Sequence, residues 1–141
     1  MEFNAPEGFD LIPNLPPAYD YGKFYVKVKA GGGYELGFFV RPEHSRSNAG
    51  HVGGGLLLTA ADYVMGFVVF KTIFKGGGGD LHPTTVSMSS DFLGTAKVGD
   101  WVSAKIELIK LGRHLCTAQC IFHVDDKPVF RASASYMMLP K

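Results

Sequence analysis

The sequence has almost no charge imbalance, few cysteines and no long charge-free apolar run. Its 141 residues carry 14 Lys and Arg against 13 Asp and Glu, a formal net charge of +1. Binders of nucleic acid or anionic membrane concentrate basic residues on one face, and this balance leaves no surplus for one. The only cysteines, Cys116 and Cys120, lie in a strand-like segment. Four residues along a strand separate them by about 13 Å, beyond disulfide reach. With Ala118 and Phe122 they share one face and read as small core residues, compatible with a reducing cytoplasm. Residues 1–20 show no basic start and no apolar stretch, so no secretory signal is expected. A cytoplasmic location is the expectation. The most apolar run, Gly54 to Phe70, is short for a membrane span and holds Asp62 at its middle. A buried helix is expected there instead. The five histidines (44, 51, 82, 114 and 123) show no ligand spacing, so neither metal nor cofactor is expected.

Glycine, by contrast, is abundant: 18 residues, where about 7% is usual. It falls in clumps at 31–33, 53–55 and 76–79. Residues 1–22 read as a Pro-rich, irregular lead-in, and 23–141 as one domain. Lys23 to Lys29 and Tyr34 to Arg41 alternate like strands, with the first glycine clump as the turn between them. Pro42 to Gly53 is a polar loop. The apolar run after it is too long for a buried strand and reads as a helix. Four strand-like runs follow, at 84–93, 101–110, 115–124 and 129–139, joined by short turns. In the first, Val86, Met88 and Phe92 are expected on one face and Thr85, Ser87 and Ser89 on the other. The layout is α+β, one long helix wrapped by an antiparallel sheet. A helix apolar nearly all round needs cover beyond one sheet face, which points to an oligomer or a ligand channel.

Three features carry chemistry. Asp62 is the only charged residue between Gly53 and Phe70. It is either an acid satisfied by a distant Ser, Thr or Arg, or a carboxylate held in an apolar wall as base or nucleophile. Gly53-Gly54-Gly55 precede the helix, where unpaired N–H groups and the positive dipole end are exposed. They are either a flexible helix start or an oxyanion hole that a ligand oxygen reaches unobstructed. Thr85 is either an ordinary β-former or a hydroxyl that orients water beside the carboxylate.

The stretch Asn48-Ala49-Gly50-His51-Val52-Gly53-Gly54-Gly55, followed by Thr59 and Asp62, resembles the signature of hotdog-fold acyl-CoA thioesterases of the phenylacetate-degradation type. That signature has an Asn, a Gly, then His-Gly-Gly at a helix start, with an Asp nine residues after the His; Gly53 to Asp62 is nine. The runs Thr85 to Leu93, Ala96 to Asp100, Leu111-Gly112-Arg113 and Ala132 to Tyr136 are similar to the family's strand and turn pattern. The resemblance covers residues 35–139. It implies a hotdog fold and hydrolysis of an acyl-CoA, with CoA as part of the substrate, at a homodimer interface, in a dimer or tetramer. It implies Gly54 N–H as oxyanion donor, Asp62 from the partner's helix as base or nucleophile, and Thr85 placing the water. Asn48 and His51 are further catalytic candidates. Ser47, Val52, Gly53, Arg113 and His114 are candidate substrate contacts, with Arg113 near the CoA phosphates. Two positions depart from the signature. Gly53 stands where the family has His, with His51 two residues earlier. Ser47 aligns with the family's Asn, and Asn48 lies one residue on. The rival readings are a non-catalytic acyl-CoA or lipid-binding module and a dehydratase of the same fold.

Overall fold

The computed structural model describes residues 2–20, 23–45, 50–75 and 80–140. Seven antiparallel strands form one sheet: β1 (Asp10–Leu11), β2 (Tyr25–Val28), β3 (Tyr34–Phe39), β4 (Leu81–Phe92), β5 (Trp101–Leu111), β6 (Leu115–Val124) and β7 (Lys127–Pro140). Their order across the sheet is β1-β2-β3-β5-β6-β7-β4. A short helix, α1 (Pro17–Asp20), precedes β2, and the long helix α2 (Gly54–Lys75) lies between β3 and β4. This is the α+β layout expected from the strand and helix pattern, in the hotdog arrangement that the family resemblance implies.

The packing follows from side-chain period. Along α2, Leu56, Leu57, Ala60, Ala61, Val64, Met65, Val68 and Val69 are buried. Spaced by three and four, they form one stripe that faces the sheet. Beneath it lie Cys116, Ala118, Cys120 and Phe122 of β6 and Phe130, Ala132, Ala134 and Tyr136 of β7, all buried. Small residues dominate this floor, so the helix seats close to the sheet, while Phe24, Phe38, Phe122 and Phe130 fill the flanks with successive tilted and edge-on ring contacts. Both cysteines are free and buried, on the shared face that their spacing predicted. Burial pushes the Cys120 thiol up to about 12. By length and composition Gly54–Phe74 could also cross a membrane, but here it fills the concave side of the sheet.

The N-terminal lead-in differs from the sequence-based expectation. Residues 1–22 are not wholly irregular. Asp10 and Leu11 pair with Val26 and Tyr25 to add the edge strand β1. Phe3 packs on Phe39 and Phe9 on Trp101. A strand of two residues among prolines leaves no alternation to read. As its surplus of apolar residues implied, α2 is not covered all round by the sheet. Leu58 and Phe74 are exposed, and Asp62, Tyr63, Gly66, Phe67 and Phe70 between them are only half-buried. One face of the helix is therefore open within a single chain.

Candidate active site

The open face of α2 borders a groove of about 420 Å³. It is lined by Asp62, Tyr63, Gly66, Phe67 and Phe70 of the helix, by Pro83 and Thr85 of β4 and Tyr136 of β7, and by Pro16 and Tyr19. Half of the lining residues are aromatic. Tyr63 stacks on Phe24 at 4.6 Å between ring centroids and meets Tyr19 at 5.1 Å. Burial, and then the neighbouring Tyr19, push the Tyr63 phenol up to about 12. Tyr63 therefore enters any reaction at neutral pH as a neutral ring.

Asp62 is the one carboxylate in this lining. The Thr85 hydroxyl donates to its Oδ1 at 2.5 Å. Tyr136 donates to the same oxygen at 3.2 Å and to the Asp62 main-chain carbonyl at 3.0 Å. Both alternatives left open for Asp62 thus describe part of it. The acid is satisfied by hydroxyls, yet its Oδ2 receives no hydrogen bond among the described residues and lies beside the groove.

Thr85 reaches Asp62 because β4 is irregular. Thr85 pairs with Tyr136 but Ser87 pairs with Ser135, so Val86 is an extra, bulged residue. The bulge reverses the alternation. Thr85 and Pro83 then share the helix-facing side with Met88, Ser90 and Phe92, whose partners Ala134, Ala132 and Phe130 point inward. Strict alternation had put Thr85 on the face opposite Met88. It had also put Val86 on the inner face, whereas Val86 is 50% exposed.

The start of α2 is organised separately. Val98 N–H bonds Gly50 O, Val52 N–H bonds Ala96 O, and Gly53 N–H bonds His44 O. His44 is buried, and its Nδ1 accepts from Arg41 N–H at 2.9 Å, which fixes the turn before the loop. The Gly53 amide is therefore committed, and its carbonyl takes Leu56 N–H. Gly54 opens the helix, and among the described residues no acceptor takes its N–H. A Cβ on Gly54 would lie 3.1 Å from the Phe92 ring, whereas one on Gly55 would meet nothing. His51 pairs with Lys97 through the backbone, and its Nδ1 is buried with no hydrogen-bond partner among the described residues. Val52 is half-buried beside it.

The remaining candidates lie elsewhere. Arg113 and His114 are exposed in the β5–β6 hairpin, where a Cβ on Gly112 would run into the Leu115 carbonyl. They lie close in sequence to Cys116, the cross-strand partner of Tyr136. The His114 carbonyl accepts Met138 N–H. Ser47 and Asn48 lie outside the described residues. Sequence reasoning missed two residues, Tyr136 and His44. Tyr136 sits at an inward position of a strand and looks like core. His44 looks like one more polar loop residue.

The thioesterase superfamily model matches residues 49–130. The chain belongs to the thioesterase superfamily. The match runs from the loop before α2 to Phe130, near the start of β7, and so includes Asp62, Gly54 and Thr85. A Pseudomonas aeruginosa protein whose name assigns it provisionally as an esterase is 28% identical over 134 residues, 94% of this chain and 96% of its own. Among solved structures, the phenylacetic acid degradation-related protein of Ralstonia eutropha, provisionally a thioesterase, is 22% identical with a TM-score of 0.75, covering 88% of this chain and 91% of that one. A hypothetical thioesterase of Streptococcus pneumoniae, solved with coenzyme A, is 20% identical with a TM-score of 0.69, covering 84% and 87%. At these identities the solved structures establish the shared hotdog fold. Family and relatives together make this chain, in general terms, a thioester hydrolase.

Proposed function

We propose that the protein is an acyl-CoA thioesterase that uses Asp62 as base or nucleophile at a site shared between two copies of the chain. The observation that carries this reading is the Asp62 carboxylate itself. It is held at Oδ1 by Thr85 and Tyr136 and is open at Oδ2 beside an apolar groove. The CoA-bound pneumococcal neighbour supports a CoA thioester as substrate. In the hydrolytic route, Asp62 Oδ2 takes a proton from water as the water oxygen bonds to the thioester carbon. The C–S bond then breaks, and the proton passes to the departing thiolate. In the covalent route Oδ2 attacks the carbonyl carbon directly, and the C–S bond breaks to release CoA as its thiolate. Water later cleaves the resulting anhydride to regenerate the Asp62 carboxylate and free the acid, its proton passing to the thiolate. In either route the carbonyl oxygen gains negative charge that the Gly54 N–H stabilises. Arg113, on its exposed hairpin, would meet the CoA phosphates, with His114 beside it. Asn48, His51, Ser47, Val52 and Gly53 would border the acyl thioester from the loop before α2. The chemistry calls for no metal or cofactor, and a reducing cytoplasm suits the free thiols.

The spacing of the two groups supports an intermolecular site. Gly54 and Asp62 are eight residues apart on one helix, about 12 Å along its axis. Attacking and stabilising groups must converge on one carbonyl within about 3–3.5 Å. One chain cannot bring its own pair together, whereas a second copy facing the open side of α2 can. The edge of the sheet favours such a copy. β4 is 12 residues long, pairs only with β7 and has Asp91 as its sole acid. Val86, Phe92 and the adjoining Leu93 are each at least half exposed. A long, little-charged edge strand invites pairing, and a two-fold homodimer is the simplest closed solution.

The test is to offer a panel of acyl-CoAs to the purified protein and follow free thiol. The wild type releases thiol from at least one chain length, and Asp62→Ala lowers that rate about a thousandfold. Tight CoA binding without release from any substrate would instead support a binding module.

A further inference from the structure

We propose that Tyr136 is a positioning residue for Asp62, a donor with two acceptors that keeps the carboxylate aimed through both of its protonation states. This rests on the reading of Asp62 as the reacting acid. Tyr136 is only 2% exposed, so its hydroxyl proton needs an acceptor within the protein. It has two, Asp62 Oδ1 at 3.2 Å and the Asp62 carbonyl at 3.0 Å. The ring lies beside Gly66, one turn beyond Asp62, where an added Cβ would come within 3.6 Å of it.

The two acceptors suit the two states of the acid. While Asp62 is ionised, the carboxylate is the stronger acceptor, and the Tyr136 proton turns to Oδ1. Once Asp62 has taken a proton, Oδ1 weakens and the carbonyl becomes the better partner. The buried hydroxyl is satisfied throughout, so no lost hydrogen bond is added to the cost of protonating Asp62. Thr85 and Tyr136 both hold Oδ1. The arrangement therefore assigns different tasks to the two oxygens, Oδ1 as anchor and Oδ2 as the reacting atom.

The test uses Tyr136→Phe, which keeps the ring beside Gly66 and removes the hydroxyl, in the full chain. Proton NMR of the wild type should show a downfield hydroxyl signal protected from exchange. It should vanish in Tyr136→Phe and move upfield in Asp62→Asn, where the charged acceptor is gone. With the best acyl-CoA, Tyr136→Phe should lower kcat about tenfold with KM unchanged, the loss expected for one hydrogen bond to a charged group. A purely structural role would lower the unfolding midpoint and leave kcat alone. That result would overturn the proposal, as would a hydroxyl signal that ignores Asp62→Asn. Should the wild type hydrolyse no thioester, the proposed function falls, while the hydroxyl signal still decides whether Tyr136 holds Asp62.

Discussion

The two ends of the proposed site are built by different means. At the carboxylate, three elements converge. α2 carries Asp62, the bulge in β4 turns Thr85 inward, and β7 brings Tyr136. At the helix start almost nothing converges. Gly53 is tied to His44, and the Gly54 N–H has no acceptor among the described residues. An acid must be aimed, and aiming a flexible side chain takes partners from elsewhere in the fold. An amide donor is already aimed by the helix that begins with it, and needs only an unobstructed approach.

Substitutions at each end sharpen this contrast. The largest effect after loss of Asp62 is expected at the glycine end, where a side chain obstructs. Gly54→Val pushes into the Phe92 ring and shields the N–H, and should cut kcat/KM about a hundredfold in the thiol-release assay. A Gly54→Val enzyme of full activity would remove Gly54 from the site. At the other end, Thr85→Val keeps the shape and loses one hydrogen bond, so kcat should fall about tenfold with KM little changed. A larger fall in KM-dependent binding than in kcat would make Thr85 a substrate contact instead. The smallest effect is expected one residue from Gly54. A Cβ on Gly55 meets nothing. Gly55→Ala should leave activity within about twofold and raise stability by about 0.5 kcal/mol, read as a higher unfolding midpoint. Were Gly55→Ala as damaging as Gly54→Val, the whole glycine run would be acting, with no single donor.

The same contrast explains what could be read in the sequence. The succession of the longer strands along the chain, the long helix and the buried face of Cys116, Ala118, Cys120 and Phe122 follow from periods of two and 3.6, which are local. The glycine start of α2 is local as well, and so is the presence of an isolated acid in an apolar run. The surroundings of Asp62 are not. Thr85 is aimed by a bulge, and one extra residue in a ladder has no signature in an alternating Thr and Ser run. Tyr136 is 74 residues from Asp62 in sequence, and an inward tyrosine on a strand has the pattern of core. Likewise His44 fixes Gly53 through its main-chain carbonyl, which any residue could supply. The open face of α2 was legible only as a surplus of apolar residues. The structure turns that surplus into a groove and an open helix face.

The central claim, that one chain's Asp62 works on a carbonyl held by another chain's Gly54, is tested most directly by complementation. Asp62→Ala and Gly54→Val subunits, each nearly inactive alone, are co-expressed or unfolded and refolded together. In a two-fold dimer half of the molecules become mixed, and each mixed dimer contains one site with both groups intact. The account predicts recovery of about a quarter of wild-type thioesterase activity in the mixture. Activity no higher than the average of the separate variants, with mixed dimers shown to form, would contradict it and confine Asp62 and Gly54 to sites within one chain.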